Sequence, residues 1–182
     1  MLKVETPLSL EKIAKLRKGE LVYLSGIVYT ARDQAHKKLV ELIKRKKALP
    51  FSLKDSIVYY CGPTPSPKGE ISGSCGPTTS LRMDGFVEPL LQEGLKGMIG
   101  KGGRTPKVKE LIKKYKAVYF LAPSGCGALL AQKVLSKKLI AFKELGAEAI
   151  YQLEVRDFPL IVGIDSRGVG IYEDIECSNF KT

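Results

Sequence analysis

Three segments of this chain carry side chains suited to holding a small anionic acid. The first is Tyr29-Thr30-Ala31-Arg32-Asp33, with His36 close behind. The second is Gly76-Pro77-Thr78-Thr79-Ser80-Leu81-Arg82-Met83-Asp84, and the third is Met98-Ile99-Gly100-Lys101-Gly102-Gly103. A guanidinium can grip a carboxylate with two parallel hydrogen bonds, and a lysine adds a compact point charge. The hydroxyl-rich turn precedes an apolar stripe of Met83, Phe86, Val87, Leu90 and Leu91, so the spacing predicts a helix over Thr79–Glu93 with Thr78 or Thr79 as N-cap. Free N–H groups and the dipole at such a start attract anions. Arg32, Arg82 and Lys101 are therefore candidate carboxylate-binding cations, with Thr78 as a hydroxyl beside them. Asp84 lies two residues from Arg82, and residues so spaced do not face each other on a helix, so no pairing between them is expected. The glycines around Lys101 lack the Gly-x-x-x-x-Gly-Lys-Ser/Thr spacing of a nucleotide loop.

The elements that must position these residues alternate in type. Leu10–Arg17 reads as a short helix closed by Gly19, and Leu21–Thr30 as a strand rich in β-branched and aromatic residues. Ala31–Lys47 reads as a helix with Ala35, Leu39, Leu42 and Ile43 on its apolar side, so Arg32 and Asp33 fall at a strand-to-helix junction. Ser56–Cys61 is a second strand, stopped by Gly62-Pro63. A long loop follows, punctuated by Pro63, Pro65, Pro67 and Pro77, and loops of that length in compact domains are often functional. Pro89 predicts a kink or early end in the helix beginning at Thr79. Leu95–Ile99 and Ala117–Ala122 read as strands around a Thr105–Tyr115 helix with Pro106 in its first position. A helix over Ala128–Leu135 and strands at Ala149–Val155, Leu160–Asp165 and Val169–Tyr172 complete the chain, the last two as a hairpin across Ser166-Arg167-Gly168. This order predicts an α/β layered domain with a mixed sheet, with its site at strand ends.

Bulk properties narrow the function classes. At 182 residues and 44% hydrophobic content, one domain over 1–182 is expected. No apolar run reaches membrane-spanning length and no apolar signal core follows Met1, so the chain is read as cytoplasmic with no membrane partner. The net charge of +11 invites a nucleic-acid reading, yet the excess sits in Lys-rich patches such as Lys44-Arg45-Lys46-Lys47 without interleaved aromatics, so no nucleic-acid partner is expected. Cys61, Cys75, Cys126 and Cys177 have no metal-ligand spacing and are read as reduced, small buried hydrophobes.

Taken in order, the three segments above, together with Tyr59-Tyr60-Cys61-Gly62-Pro63 and the late run Tyr151-Gln152-Leu153-Glu154-Val155-Arg156-Asp157-Phe158-Pro159, resemble the β subunit of class I (iron–sulfur) fumarate hydratases. The same region forms the C-terminal half of single-chain class I fumarases and the β subunit of L-tartrate dehydratase. The likeness covers nearly the whole chain. It implies a three-layer β/β/α swivelling domain like the mobile domain of aconitase. It implies reversible dehydration of (S)-malate to fumarate, with a [4Fe–4S] cluster held by a partner α subunit and no metal bound by this chain. The heteromer would be α2β2, with its active site between subunits. Carried onto this sequence, the substrate-binding positions are Arg32, Arg82 and Lys101, and the catalytic positions are Thr78 and, second to it, His36. A threonine hydroxyl is a poor base unless neighbouring cations lower its pKa. Two other readings stay open: an L-tartrate dehydratase β subunit, and a non-catalytic carboxylate-binding module.

Overall fold

A computed structural model describes residues 2–172. Seven strands form one mixed sheet: β1 Leu2–Glu5, β2 Leu21–Thr30, β3 Ile57–Tyr59, β4 Gly97–Gly100, β5 Val118–Leu121, β6 Val134–Ala141 and β7 Ile150–Ile164. β1 to β5 run parallel to their neighbours in order, and β7 is antiparallel to β5, β6 and β2. Because β7 pairs with both β5 and β2, the path β2-β3-β4-β5-β7 returns to its starting strand. The sheet therefore has an inside and an outside.

Period-2 alternation sorts side chains between the two faces. Ile57 and Tyr59 of β3, Ile99 of β4, and Val118 and Phe120 of β5 point into one core with Leu24, Leu153, Phe158 and Leu160. Their neighbours Val58, Tyr60, Met98 and Tyr119 point into a second core, against Ala35, Leu39, Val87, Leu111 and Ile112. The helices supplying that second core are α2 Asp33–Lys44, α3 Val87–Gln92 and α4 Pro106–Tyr115. Two short α-helices, α1 Leu10–Lys15 and α5 Gly127–Ala131, and 3₁₀ segments at Ser80–Phe86 and Lys143–Glu148 complete the regular structure of the described residues. Each core strand is thus buried on both faces, which is why these strands read as continuous apolar runs.

Several expectations are corrected. The helix at Thr79 opens instead as a 3₁₀ segment over Ser80–Phe86 and becomes α-helical at α3. Pro89 falls in the first turn of α3, where its missing N–H removes no α-helical bond. The buried side of α2 carries Ala35, His36, Leu39 and Val40, while Leu42 and Ile43 are only half-buried. β1 and β6 fall where no strand was expected, and the C-terminal end of the Ala128–Leu135 helix is strand β6. The two late strands are one, β7, with a bulge at Arg156-Asp157 where Ser25 of β2 lies opposite. Asp157 has φ 47° there, and its N–H donates to Ser25 Oγ at 3.0 Å. The turn at Ser166-Arg167-Gly168 exists, but Val169–Tyr172 contributes a single bridge, Ile164 to Gly170, rather than a strand. Among the described residues no helix is long and apolar enough to cross a membrane.

Cys61 and Cys75 are fully buried in the inner core, as expected of small hydrophobes, whereas Cys126 is half-buried. Cys177 lies outside the described residues. Cys61 and Cys75 are electrostatic neighbours in this core, and Cys75 together with burial pushes the Cys61 thiol up. Cys61 in turn lowers the Cys75 pKa to about 7, against the opposing effect of burial, with Ser72 and the Lys137 charge adding to the lowering.

Candidate functional site

Three neighbouring parallel strands end side by side. Thr30 pairs with Tyr59, and Tyr59 with Ile99, so the residues that follow β2, β3 and β4 emerge at one end of the sheet. Ala31 N–H donates to the Tyr59 carbonyl at 3.0 Å, which holds Arg32 at that edge. Arg32 is the N-cap residue of α2, in extended conformation; its guanidinium carries no acceptor with which to cap the helix. Gly62, just beyond β3, lies under it: a Cβ there would fall 3.2 Å from both Arg32 Cδ and Nη1. A side chain at this position would press on the arginine and on the Ala147 carbonyl.

The loop after β3 returns the chain to the same edge. Thr64 N–H donates to the Ser74 carbonyl, and a bridge joins Cys61 to Pro77, so the ends of the loop meet. Thr78 N–H then donates to the Tyr60 carbonyl at 2.6 Å, and Lys101 N–H to the Thr78 carbonyl at 3.2 Å. A parallel bridge joins Thr79 to Lys101. Thr78 and Lys101, separated by more than twenty residues in sequence, are thus backbone neighbours. Both are half-buried.

The predicted N-cap is not made: Thr79 forms no side-chain cap bond, and Ser80 N–H is already spent on the Lys101 carbonyl at 2.9 Å. Attraction of an anion by free helix N–H groups is correspondingly weakened, and the cations must supply the positive potential.

Asp33 joins two of those cations. Arg82 donates to it through both Nε and Nη2, at 2.9 and 2.8 Å, in a fork-to-fork pair. Arg32 Nη2 lies 3.7 Å from the same carboxylate and 3.6 Å from Glu148. The two arginines, fifty residues apart in sequence, therefore converge on one carboxylate. Arg82 is half exposed and Arg32 a quarter exposed, so the cluster faces solvent as an open surface.

His36 takes a different place. It is fully buried, one turn into α2, with its ring edge-on to Tyr60 at 5.2 Å. Its Nδ1–H donates to the Arg32 carbonyl at 2.9 Å, so the Nε2 lone pair is left buried and unpartnered. Burial lowers its pKa to about 4, outweighing the hydrogen bond to Arg32, and the Arg104 charge adds to the lowering. The structure places His36 behind Arg32 rather than among the solvent-facing residues.

Two residues that the sequence did not point to complete the arrangement. Arg104, whose side chain is fully buried, donates from Nε to Asp84 Oδ1 at 2.6 Å. Asp84 Oδ2 accepts from Thr105 N–H and Oγ1 at 2.8 and 2.7 Å, and Thr105 makes no side-chain cap bond at the start of α4. Both residues sat in plain view beside the glycine-rich turn and the Arg82 motif. Their pairing is long-range, which sequence periodicity does not reveal.

Over residues 1–175 the chain matches the family described as Fumarase C-terminus. The chain belongs to that family. It is 41% identical over 174 residues to a Methanocaldococcus jannaschii chain provisionally named an L(+)-tartrate dehydratase β subunit, a match covering 92% of this chain and 89% of the relative. It is 36% identical over 168 residues to the L(+)-tartrate dehydratase β subunit of Escherichia coli, covering 90% and 82%. Identity to the anaerobic class I fumarate hydratase of Escherichia coli is 41% over 162 residues, covering 86% of this chain but only 29% of that longer protein. Members of the Fumarase C-terminus family thus occur both as separate β subunits and as one part of a longer chain, and these relatives are hydro-lyases by name.

Proposed function

We propose that this chain is the β subunit of a two-subunit [4Fe–4S] hydro-lyase that reversibly dehydrates (S)-malate to fumarate. The observation that carries the reading is the convergence of Arg32 and Arg82 on the Asp33 carboxylate, at the strand end where Thr78 and Lys101 are also neighbours. A dicarboxylate needs at least two well-placed cations, and here three come from separate segments. Arg82 spends Nε and Nη2 on Asp33, which fixes its plane and leaves Nη1 to meet a substrate carboxylate. Arg32 and Lys101 serve the second carboxylate and the negative charge that builds on it as a neighbouring proton leaves. Cations fixed in advance stabilise that charge most in the transition state. Thr78, whose backbone carbonyl accepts from Lys101 N–H, contacts the substrate in this reading. His36 acts by fixing the Arg32 carbonyl.

Among the described residues no group of three or more His, Cys, Asp and Glu side chains is placed to hold a metal, and Cys61 and Cys75 are buried in the core. These residues do not fit a cluster. In this reading the partner α subunit holds it, and this chain supplies one face of a site that closes between subunits of an α2β2 heteromer. The open, half-exposed cations fit such a half-site. The fold in this reading is a single β/β/α swivelling domain over 1–182 in a cytoplasmic enzyme.

The separate β-subunit relatives named for tartrate favour L-tartrate dehydratase as a second reading. Both substrates are C4 dicarboxylates that differ by one hydroxyl, so their discrimination rests on a group that accepts or rejects it. Anaerobic reconstitution with the partner, followed by assays on (S)-malate and L-tartrate, separates the two. The malate reading predicts the larger kcat/KM for malate; a larger value for tartrate replaces it. Turnover of neither, with tight malate binding to the isolated chain, returns the protein to a carboxylate-binding module.

A further inference from the structure

Arg104 is the most deeply buried cation of the described chain, and it lies behind the site rather than in it. Its guanidinium lies over two aromatic rings, 5.4 Å from the Tyr60 centroid and 5.0 Å from that of Tyr119. Through Asp84 it holds the far end of the segment that begins at Thr78. Through Tyr119 it reaches the Lys101 turn: the Tyr119 hydroxyl bonds to Ser80 Oγ at 2.8 Å and donates to the Gly102 carbonyl at 2.8 Å. Tyr60, whose carbonyl holds Thr78, also carries the hydroxyl that Arg104 Nη1 approaches at 3.4 Å. His36, which holds Arg32, also packs edge-on against the Tyr60 ring.

This network is not built for stability. A buried ion pair is weak evidence of stability, since well-packed apolar side chains of the same volume often do as well. Moreover, Arg104 Nη2 and His36 Nε2 are both buried and unpartnered, a donor and an acceptor left unsatisfied around one ring. Such a cost persists where geometry is being fixed.

Resting on the functional reading above, we propose that Arg104 is a positioning residue. Its buried guanidinium, through Asp84 and the tyrosines Tyr60 and Tyr119, locks the Thr78–Asp84 segment and the Lys101 turn to each other, so that Thr78, Arg82 and Lys101 present one surface to the dicarboxylate. The test uses the reconstituted complex of this chain with its partner. The double substitution Arg104→Met with Asp84→Asn removes both buried charges together, so the fold is kept while the lock is lost. The expected result is a Tm within about 3 °C of wild type and kcat/KM lowered about 10- to 100-fold. Arg104→Lys, which keeps the charge but not the planar fork, falls between. A double variant with wild-type Tm and wild-type kcat/KM overturns the proposal. Should that variant unfold, Tyr119→Phe decides, since it removes one hydroxyl only: kcat/KM reduced about fivefold or more supports the lock, and an unchanged value overturns it. A wild-type complex that dehydrates no 2-hydroxy dicarboxylate overturns the functional reading itself, and this inference with it.

Discussion

At the scale of single residues, the site is an exercise in shared charge. Asp33 keeps two guanidiniums close together that would otherwise repel, and it does so in a half-exposed setting where its ion pairs are worth little as stability. Arg82→Ala should therefore leave the urea midpoint nearly unchanged while lowering kcat/KM of the reconstituted enzyme by about 100-fold, close to 3 kcal/mol of transition-state binding. Equal kcat/KM in the variant removes Arg82 from the site. His36 makes the opposite prediction. Its pKa is about 4 when folded, against an ordinary 6.5. Between these values the unfolded chain binds a proton that the folded chain refuses. Stability from His36 is thus complete above pH 6.5 and is lost as pH falls through that window to about 4, by up to about 3 kcal/mol. Thermal unfolding followed from pH 7 to pH 4 should fall more steeply for wild type than for His36→Gln, and parallel curves contradict the assignment. The meeting of Arg32 and Arg82 at one end of the sheet was legible in the sequence, because each follows the end of a strand or of the loop that returns to it. Asp33 as their common partner, and Arg104 as the partner of Asp84, were not legible, because both pairings join segments that only the fold brings together.

At the scale of elements, glycines set how closely the segments approach. A Cβ on Gly100 would lie 2.9 Å from the Tyr60 ring and still closer to Ser80 Oγ. Gly100→Ala should force β4 away from the Ser80 turn and cost about 1–3 kcal/mol of stability, read as a lowered urea midpoint. A midpoint equal to wild type means that the strand ends are not packed as described. Strands buried on both faces announced themselves through their apolar runs, and β2 was legible over its whole length. β6 was not, because its exposed positions carry Ser136, Lys138 and Leu139 on a sheet edge, where lysine guards against unwanted pairing. β7 was read as two strands because a bulge at Asp157 and the neighbouring Pro159 interrupt its pattern without ending it. The 3₁₀ start at Ser80 was missed for a comparable reason. The Ser80 hydroxyl bonds Tyr119 and the Ser80 N–H bonds the Lys101 carbonyl, neither serving as a cap, and periodicity cannot tell these uses apart.

At the scale of the whole molecule, the closed path of strands makes a rigid frame, with one core inside it and another beneath the helices. The cations sit at the carboxyl ends of parallel strands, where sheets of this kind place their ligands. Arg32 and Arg82 keep part of their surface open to solvent, as the proposed half-site requires. The isolated chain should accordingly fold and yet leave malate unchanged, and fumarate should accumulate only after the partner is added. Fumarate formation by the isolated chain contradicts the half-site. The most direct measurement is a structure of the reconstituted complex with malate bound. The account predicts one carboxylate of the malate within about 3 Å of the Arg82 guanidinium and the other against Arg32 or Lys101, with Thr78 in contact between them. Malate bound elsewhere, with these four side chains touching only protein, contradicts it.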